Sequence, residues 1–402
     1  MIGLSLLRAA ALVFSVKDGR PLEGDESRYD AIARAILDGR GIWHDGGPYV
    51  SRSPGWSVAL AGIRAVLPTG ARAVVAVQGL FDVGTILLAA WTAERVFGTR
   101  RAGLIAFALA LVWPPFAREA RAMQTEPLFT LLVAAMTALA LALLLRPGVV
   151  RAAVTGVAGG LACLVRPNGI VPLAVVLAGG WLVNDRARRA LPGFAVVGLA
   201  LALTLAPWTV RNWEVFHAFV PLSSGGGEQF YQGTLTQTEG RFDHVVWTHL
   251  MDSTVAAERA KLARRPSPLE TDHAFLEAGL TNWRSDPARQ VRIALSRVGR
   301  LIFVPVQKRG LLVRAPFLLA ILAVHGLAIA GAVAGARRGD EAGRLAPVLL
   351  AAVAVSVVAS SVFYTNSRYF EPVRWYELVL AAGALAAFGA RRAAAGFAEA
   401  RT

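Results

Sequence analysis

The sequence holds one cysteine, Cys163, so no disulfide framework can form within a single chain. It falls in an apolar run and reads as a small buried side chain. Lysine is nearly absent, with three among 42 basic residues, so arginine carries the positive charge. The histidines at 217, 244, 249 and 273 lack the His-Glu-x-x-His spacing of a zinc site. Gly225-Gly226-Gly227 is not followed by the Lys-Ser/Thr of a P-loop, so an ATP-driven reaction is not indicated. No short internal repeat stands out, and no low-complexity tail beyond Ala-rich helix. No metal site and no cofactor is assigned from these residues; a divalent metal is left open.

Apolar residues are what the chain has in abundance. They make up 55% of it, and the mean hydropathy is +0.49, beyond the roughly 45–50% of soluble domains. The expectation is an all-α polytopic membrane protein. The net charge of +15 could suggest nucleic acid, but the arginines cluster at the ends of apolar runs, as topology signals do.

The apolar runs fall near 1–16, 54–68, 73–96, 102–117, 126–145, 152–165, 169–183, 190–207, 311–335, 345–363 and 372–390. If 54–68 does not cross, the groups Arg95/Arg100/Arg101, Arg146/Arg151, Arg186/Arg188/Arg189, Arg337/Arg338/Arg344 and Arg391/Arg392 share one side, the positive-inside arrangement. The 54–68 run opens with Pro54-Gly55 and carries Arg64 mid-run, which suits a membrane-lying helix. The pattern predicts about ten crossings with both termini cytoplasmic. Residues 1–207 form an N-terminal transmembrane catalytic module with a long first outer loop, 17–72. Residues 208–310 form an outer segment with helical patterns near 254–264, 269–283 and 287–303, and 311–402 return to the membrane and end in a short cytoplasmic tail. Val291–Leu301, with Arg292, Arg297 and Arg300, reads as an amphipathic interfacial helix. Met1–Val16 reads as a crossing helix, because Arg8 sits mid-run and no Ala-x-Ala cleavage site follows. It is short for a crossing, so either the true start lies upstream or the helix tilts and Arg8 snorkels.

The polar residues gather on the outer side. Asp25 and Glu26 follow the first apolar run, with Tyr29, Ala33 and Ile36 on one helical face behind them. Adjacent acids there can complement a helix N-terminus, or supply a general base at the mouth of a cavity, its pKa raised by desolvation. Arg52, Arg118, Arg121, Arg166, Arg211 and Arg368 give each outer loop a cation beside a helix end. Such residues serve as interfacial anchors or fork onto a phosphate. Glu119 and Glu126 are further acids; Glu126 opens a crossing as an N-terminal acid or orients a substrate hydroxyl. Asp82, mid-span with Gln78 one turn away, reads as a hydrogen-bonding partner for a neighbouring helix.

Several motifs fall in order between the apolar runs: Gly24-Asp25-Glu26-Ser27-Arg28-Tyr29, Ser53-Pro54-Gly55-Trp56, Glu94-Arg95-Val96-Phe97-Gly98, Thr125-Glu126, Leu164-Val165-Arg166-Pro167-Asn168-Gly169, Pro207-Trp208-Thr209-Val210-Arg211-Asn212 and Arg368-Tyr369-Phe370-Glu371-Pro372. With them the chain resembles the protein O-mannosyltransferase and aminoarabinose transferase branch of the GT-C membrane glycosyltransferases. The resemblance covers most of the chain. At 52–55 it departs, with Arg-Ser-Pro-Gly where many relatives have Pro-Pro or Lys-Pro-Pro, so acceptor specificity is not carried over.

The resemblance implies a GT-C-like bundle whose first outer loop carries membrane-lying helices. It implies a polyprenyl-phosphate sugar donor, an active site on the extracytoplasmic side of the cell membrane, and Asp25 as catalytic base. Glu26, Tyr29, Arg52, Arg118, Glu126, Arg166, Arg211, Arg368 and Tyr369 form the pool of substrate contacts, with Arg368 the foremost phosphate ligand. A lipid phosphate leaves as a stable anion, so one base plus several cations suffices where a glycosidase needs a second acid. The expected reaction moves a sugar, with inversion, onto a hydroxyl or amine of a glycan, lipid or protein. The alternatives are a transporter or flippase of a lipid-linked sugar, for which charges lining a membrane path are missing, and a glycan ligase or polymerase. The sequence names neither sugar nor acceptor.

Overall fold

The structure is a computed structural model describing all residues except 68–69, 184, 186–190, 236–243, 263, 265, 304–310, 364–366 and 400–402. The arginines at 186, 188 and 189 therefore lie outside the described residues. The described chain is almost wholly helical. In order come α1 (Ile2–Phe14), α2 (Asp25–Leu37), a hairpin of Trp43–His44 with Gly47–Pro48, α3 (Gly55–Val66), α4 (Ala71–Phe97), α5 (Arg100–Val112), α6 (Pro114–Glu119), α7 (Glu126–Leu145), α8 (Val149–Val165) and α9 (Ile170–Val183). There follow α10 (Leu191–Phe216), α11 (Gly226–Thr234), α12 (His244–Leu262), α13 (Pro268–Ser285), α14 (Pro287–Phe303), α15 (Leu311–Arg337), α16 (Ala346–Ser361) and α17 (Glu371–Glu399).

Among the described residues six helices are long and apolar enough to cross a membrane: α4, α7, α10, and the stretches 315–337, 343–361 and 368–390. Four shorter apolar helices accompany them, α1, α3, α8 and Pro167–Val183. The chain is a multi-pass membrane protein. The 368–390 stretch is the most enclosed of the six, with 72% of its span inside the protein, whereas α10 has 11%. The helix α17 packs against α15, α5, α16, α4 and α7. Its buried run, Val373–Ala382, carries the ion pair of Arg374 with Glu377 at 2.6 Å. Trp375 donates to the Thr85 carbonyl (3.1 Å), and the Tyr376 hydroxyl meets Thr137 (2.7 Å).

The 102–117 run is one crossing by pattern but two helices in the structure. Pro114 and Pro115 have no N–H and force Trp113 into an extended conformation, so α5 stops at Val112. Pro115 leaves the Leu111 carbonyl without its i+4 donor. Arg8 from α1 takes that role: it donates to Leu111 and, through Nε, to Asp82 of α4 at 2.7 Å. Arg8 therefore points into the bundle and does not snorkel. Asp82 is bonded to a neighbouring helix, as its mid-span position suggests.

The helix α3 packs on α2, α4 and α8. Its last-turn Arg64 is buried and ion-paired with Asp30 of α2, which also accepts from Arg34 at 2.8 Å. Gly55 is there because α3 abuts α8: a Cβ at this position would come within 2.7 Å of the Leu164 carbonyl oxygen. The 208–310 segment contains α11 to α14, with a capping box at Ser267/Glu270 opening α13. The α14 reading needs correction in detail. Arg297 is buried at 2% exposure and donates to the Ser361 (2.6 Å) and Phe363 (3.1 Å) carbonyls. Burial, with Arg300 nearby, lowers its pKa to about 10. The exposed face of α14 presents Arg292, as expected, together with Val291 and Leu295.

Candidate active site

Asp25 is the first residue of α2. The preceding Gly24 has φ +57°, a conformation side-chain-bearing residues seldom adopt, which lets the loop enter α2 abruptly at the acid. The Asp25 carboxylate keeps 30% of its surface exposed. Its Oδ2 accepts from Arg368 Nη2 at 2.7 Å, and Arg28 lies 3.7 Å from Oδ1. Arg368 sits in a single 3₁₀ turn, Ser367–Phe370, just before α17. The two residues are 343 positions apart, so the beginning and end of the chain close the site together.

Arg368 touches more than Asp25. Its Nη1 donates to the Gln124 side-chain oxygen, and its Nε lies 3.4 Å from Glu126. Glu126, the first residue of α7, is 1% exposed and accepts from Arg166 Nη2 at 2.6 Å. Arg166, at the α8 terminus, also donates Nε to the Thr125 hydroxyl at 2.7 Å. The Tyr369 ring lies under both cations, 4.6 Å from the Arg166 guanidinium carbon and 5.3 Å from that of Arg368. Arg52 reaches Glu228 of α11 at 3.6 Å.

The electrostatics follow from these neighbours. Burial pushes the Asp25 carboxyl up; Arg368, by charge and hydrogen bond, with Arg52 and Arg28, outweighs it and holds the group below its ordinary value. This differs from the raised base expected from desolvation alone, because the sequence cannot show that a distant arginine closes on Asp25. Burial and the adjacent Asp25 charge push the Tyr29 phenol up, so it stays a neutral hydroxyl. Four guanidinium groups (Arg28, Arg52, Arg166, Arg368) meet four carboxylates (Asp25, Glu126, Glu228 and, beside Arg52 and Glu228, Asp272), so the cluster is balanced.

Of the residues singled out from sequence, the structure gathers Asp25, Tyr29, Arg52, Glu126, Arg166, Arg368 and Tyr369 into this one constellation. It places three others elsewhere. Glu26 is buried, takes a two-pronged contact from Arg20 (2.7 Å each) and accepts from the Met123 N–H at 2.9 Å. Arg118 pairs with its neighbour Glu119, whose carboxyl burial pushes up. Arg211 donates to the Tyr49 and Ile42 carbonyls (3.1 and 3.0 Å), bracing the hairpin segment, and stacks beside Trp208 and Phe216. Gln124, Glu228 and Arg28 contribute without having been singled out. Arg28 sits within a quoted motif, Gln124 within the 118–125 loop and Glu228 just after the glycine run, but nothing in their spacing marks them. Among the described residues no three His, Cys, Asp or Glu side chains converge to hold a metal ion.

No family model and no curated protein matches the chain. Solved structures do. The oligosaccharyltransferase of Archaeoglobus fulgidus, solved tethered to an acceptor peptide, aligns over 96% of this chain and 49% of its own length, at 12% identity and a TM-score of 0.58. ArnT from Cupriavidus metallidurans, solved bound to undecaprenyl phosphate, aligns over 95% of this chain and 76% of its own, at 17% identity and a TM-score of 0.45. The chain therefore has the fold of the GT-C membrane glycosyltransferases, and it spans about half the length of the oligosaccharyltransferase.

Proposed function

We propose that this protein is an inverting glycosyltransferase, moving a sugar from a polyprenyl-phosphate donor to an acceptor hydroxyl or amine at the outer face of the membrane. One observation carries the reading: an accessible carboxylate, Asp25, sits 2.7 Å from a guanidinium that belongs to a cluster of four arginines beside a bundle of helices long and apolar enough to cross a membrane. The GT-C fold supports it.

In this reading the donor phosphate settles among Arg368, Arg166 and Arg52, and competes with Asp25 for Arg368. Asp25, released from part of that pairing, takes the proton of the acceptor O–H or N–H. The acceptor's lone pair attacks the anomeric carbon opposite the phosphate. The bond between that carbon and the phosphate oxygen breaks, and its electrons leave with the phosphate, whose charge the arginines stabilise. Configuration inverts because attack and departure lie on opposite faces. Glu126 is buried and engaged by two arginines, so it serves as their fixed counter-charge. The polyprenyl chain lies along the bundle surface, where poorly enclosed helices such as α10 face lipid.

The test is to incubate the purified protein in liposomes with a panel of defined polyprenyl-phosphate sugars and candidate acceptors, and to analyse products by mass and anomeric configuration. Sugar transfer with inversion supports the reading. Transmembrane movement of the intact sugar-lipid without cleavage favours the flippase alternative.

A further inference from the structure

The loop at 120–125 is held from every side. Gln78 of α4, fully buried, donates to the Ala122 carbonyl at 2.8 Å and the Gln124 carbonyl at 3.3 Å. Trp56 of α3 donates to the Met123 carbonyl at 3.2 Å, and Glu26 of α2 accepts the Met123 N–H. Arg166 fixes Thr125 from α8. Helices α2, α3 and α4 thus set the backbone of one short loop, and Arg166 at the end of α8 holds its Thr125 side chain. From it the Gln124 side chain reaches Arg368. Arg368 can only donate, so the Gln124 side-chain oxygen must face it, which fixes the amide's orientation.

We propose that Gln124 is a positioning residue: its side-chain oxygen sets the direction of the Arg368 guanidinium, and thereby how Asp25 and the donor phosphate share that cation. Arg368 has long rotamer freedom and two carboxylates within reach, Asp25 at 2.7 Å and Glu126 at 3.4 Å. Tyr369 also lies against the guanidinium and hydrogen-bonds it; without Gln124 the group can turn toward Glu126, where Arg166 already supplies charge. Gln124 prevents that by occupying Nη1, which leaves Nη2 on Asp25. The loop's anchoring makes this a rigid reference.

The charged and titratable groups facing Asp25 are Arg28 and Tyr29 from α2, Arg52 and Tyr49 from the segment before α3, and Arg368; those facing Arg368 are Asp25, Glu126 and Tyr369. Only the Arg368 contact depends on Gln124. Loss of Gln124 therefore loosens one cation from Asp25 and leaves the others in place.

Two measurements on Gln124→Ala and Gln124→Met test this. The first reads Asp25 directly and does not rest on the transferase reading. Carbodiimide labelling of Asp25 across pH is quantified by mass spectrometry against the exposed Asp45. Gln124→Ala should move the Asp25 midpoint upward by about one unit, the scale of one nearby opposite charge. Gln124→Met, which keeps the bulk and loses the acceptor, should raise it as much. An unchanged midpoint in Gln124→Ala overturns the proposal. The second rests on the reading above: kcat/KM for a polyprenyl-phosphate sugar should fall roughly tenfold or more in Gln124→Ala, as for loss of a hydrogen bond to a charged group. The acid limb of its pH profile should rise in parallel with the labelling, and Gln124→Met should match it. Lower activity with an unmoved acid limb indicates a merely structural role and also overturns the proposal. No turnover by the wild type, with the labelling shift intact, removes the transferase reading and leaves the positioning role standing.

Discussion

Glu126→Gln is the substitution whose outcome follows most directly from the geometry. The wild-type carboxylate is 1% exposed and lies between Arg166 at 2.6 Å and Arg368 at 3.4 Å. Removing its charge leaves two cations facing each other across a neutral amide. Breaking a buried pair by neutralising one partner costs about 3–5 kcal/mol. The lower end applies here, because Arg166 and Arg368 retain 15% and 22% side-chain exposure and the glutamine oxygen still accepts one hydrogen bond. The apo protein should therefore unfold at a clearly lower temperature in detergent. A polyprenyl phosphate supplies the missing negative charge, so it should stabilise the variant more than the wild type. Ligand at a hundred times its Kd contributes about 2.7 kcal/mol, and the variant's gain should exceed the wild-type gain at matched concentration. Thermal unfolding with and without the lipid phosphate, for both proteins, is the assay. An unchanged apo midpoint, or equal ligand shifts in both proteins, refutes the idea that Glu126 and a phosphate hold the same arginines.

Two further outcomes follow. Arg8→Ala leaves Asp82 charged inside the bundle and the Leu111 carbonyl unanswered, and should cost about 3–5 kcal/mol, whereas Arg8→Met with Asp82→Leu should recover most of it; a double variant as unstable as Arg8→Ala contradicts the pairing. Arg368→Gln should be less stable than wild type at neutral pH. Asp25 is depressed in the folded protein, so its pair with Arg368 contributes fully above the unfolded carboxylate value near about 3.9 and is lost as pH falls through the lower folded value. The stability gap should accordingly narrow below about pH 4, and a gap that stays constant into acid rules out the Asp25 contribution.

The membrane class, the helical architecture and most members of the constellation around Arg368 could be read from the sequence, because each is written locally. Apolar runs define helices, and an acid or arginine at a run's end is visible as such. What could not be read is which ends meet. Asp25 and Arg368 are joined only because α17 runs through the centre of the bundle and returns its 3₁₀ turn to α2. Glu26 looks like Asp25 in sequence, yet one residue of helical rotation turns it away from Arg368 and onto Arg20 and Met123. Arg211 and Arg118 have the same local setting as Arg166 and differ only in what packs across from them. Gln124 is neutral and unremarkable in composition, and its role arises from an anchored backbone. The 102–117 break was legible in Pro114-Pro115, but its use, a free carbonyl that receives Arg8, depends on α1 lying alongside.

The central claim is that Asp25 takes the acceptor's proton while arginines receive the departing phosphate. It is tested most directly by single-turnover sugar transfer from a polyprenyl-phosphate donor in wild type and Asp25→Asn, with donor binding measured on the same preparations. The account predicts that Asp25→Asn stays folded, binds the donor at least as well because Arg368 is freed, and transfers sugar on the order of a hundredfold or more slowly. Transfer at the wild-type rate by a folded Asp25→Asn protein contradicts it.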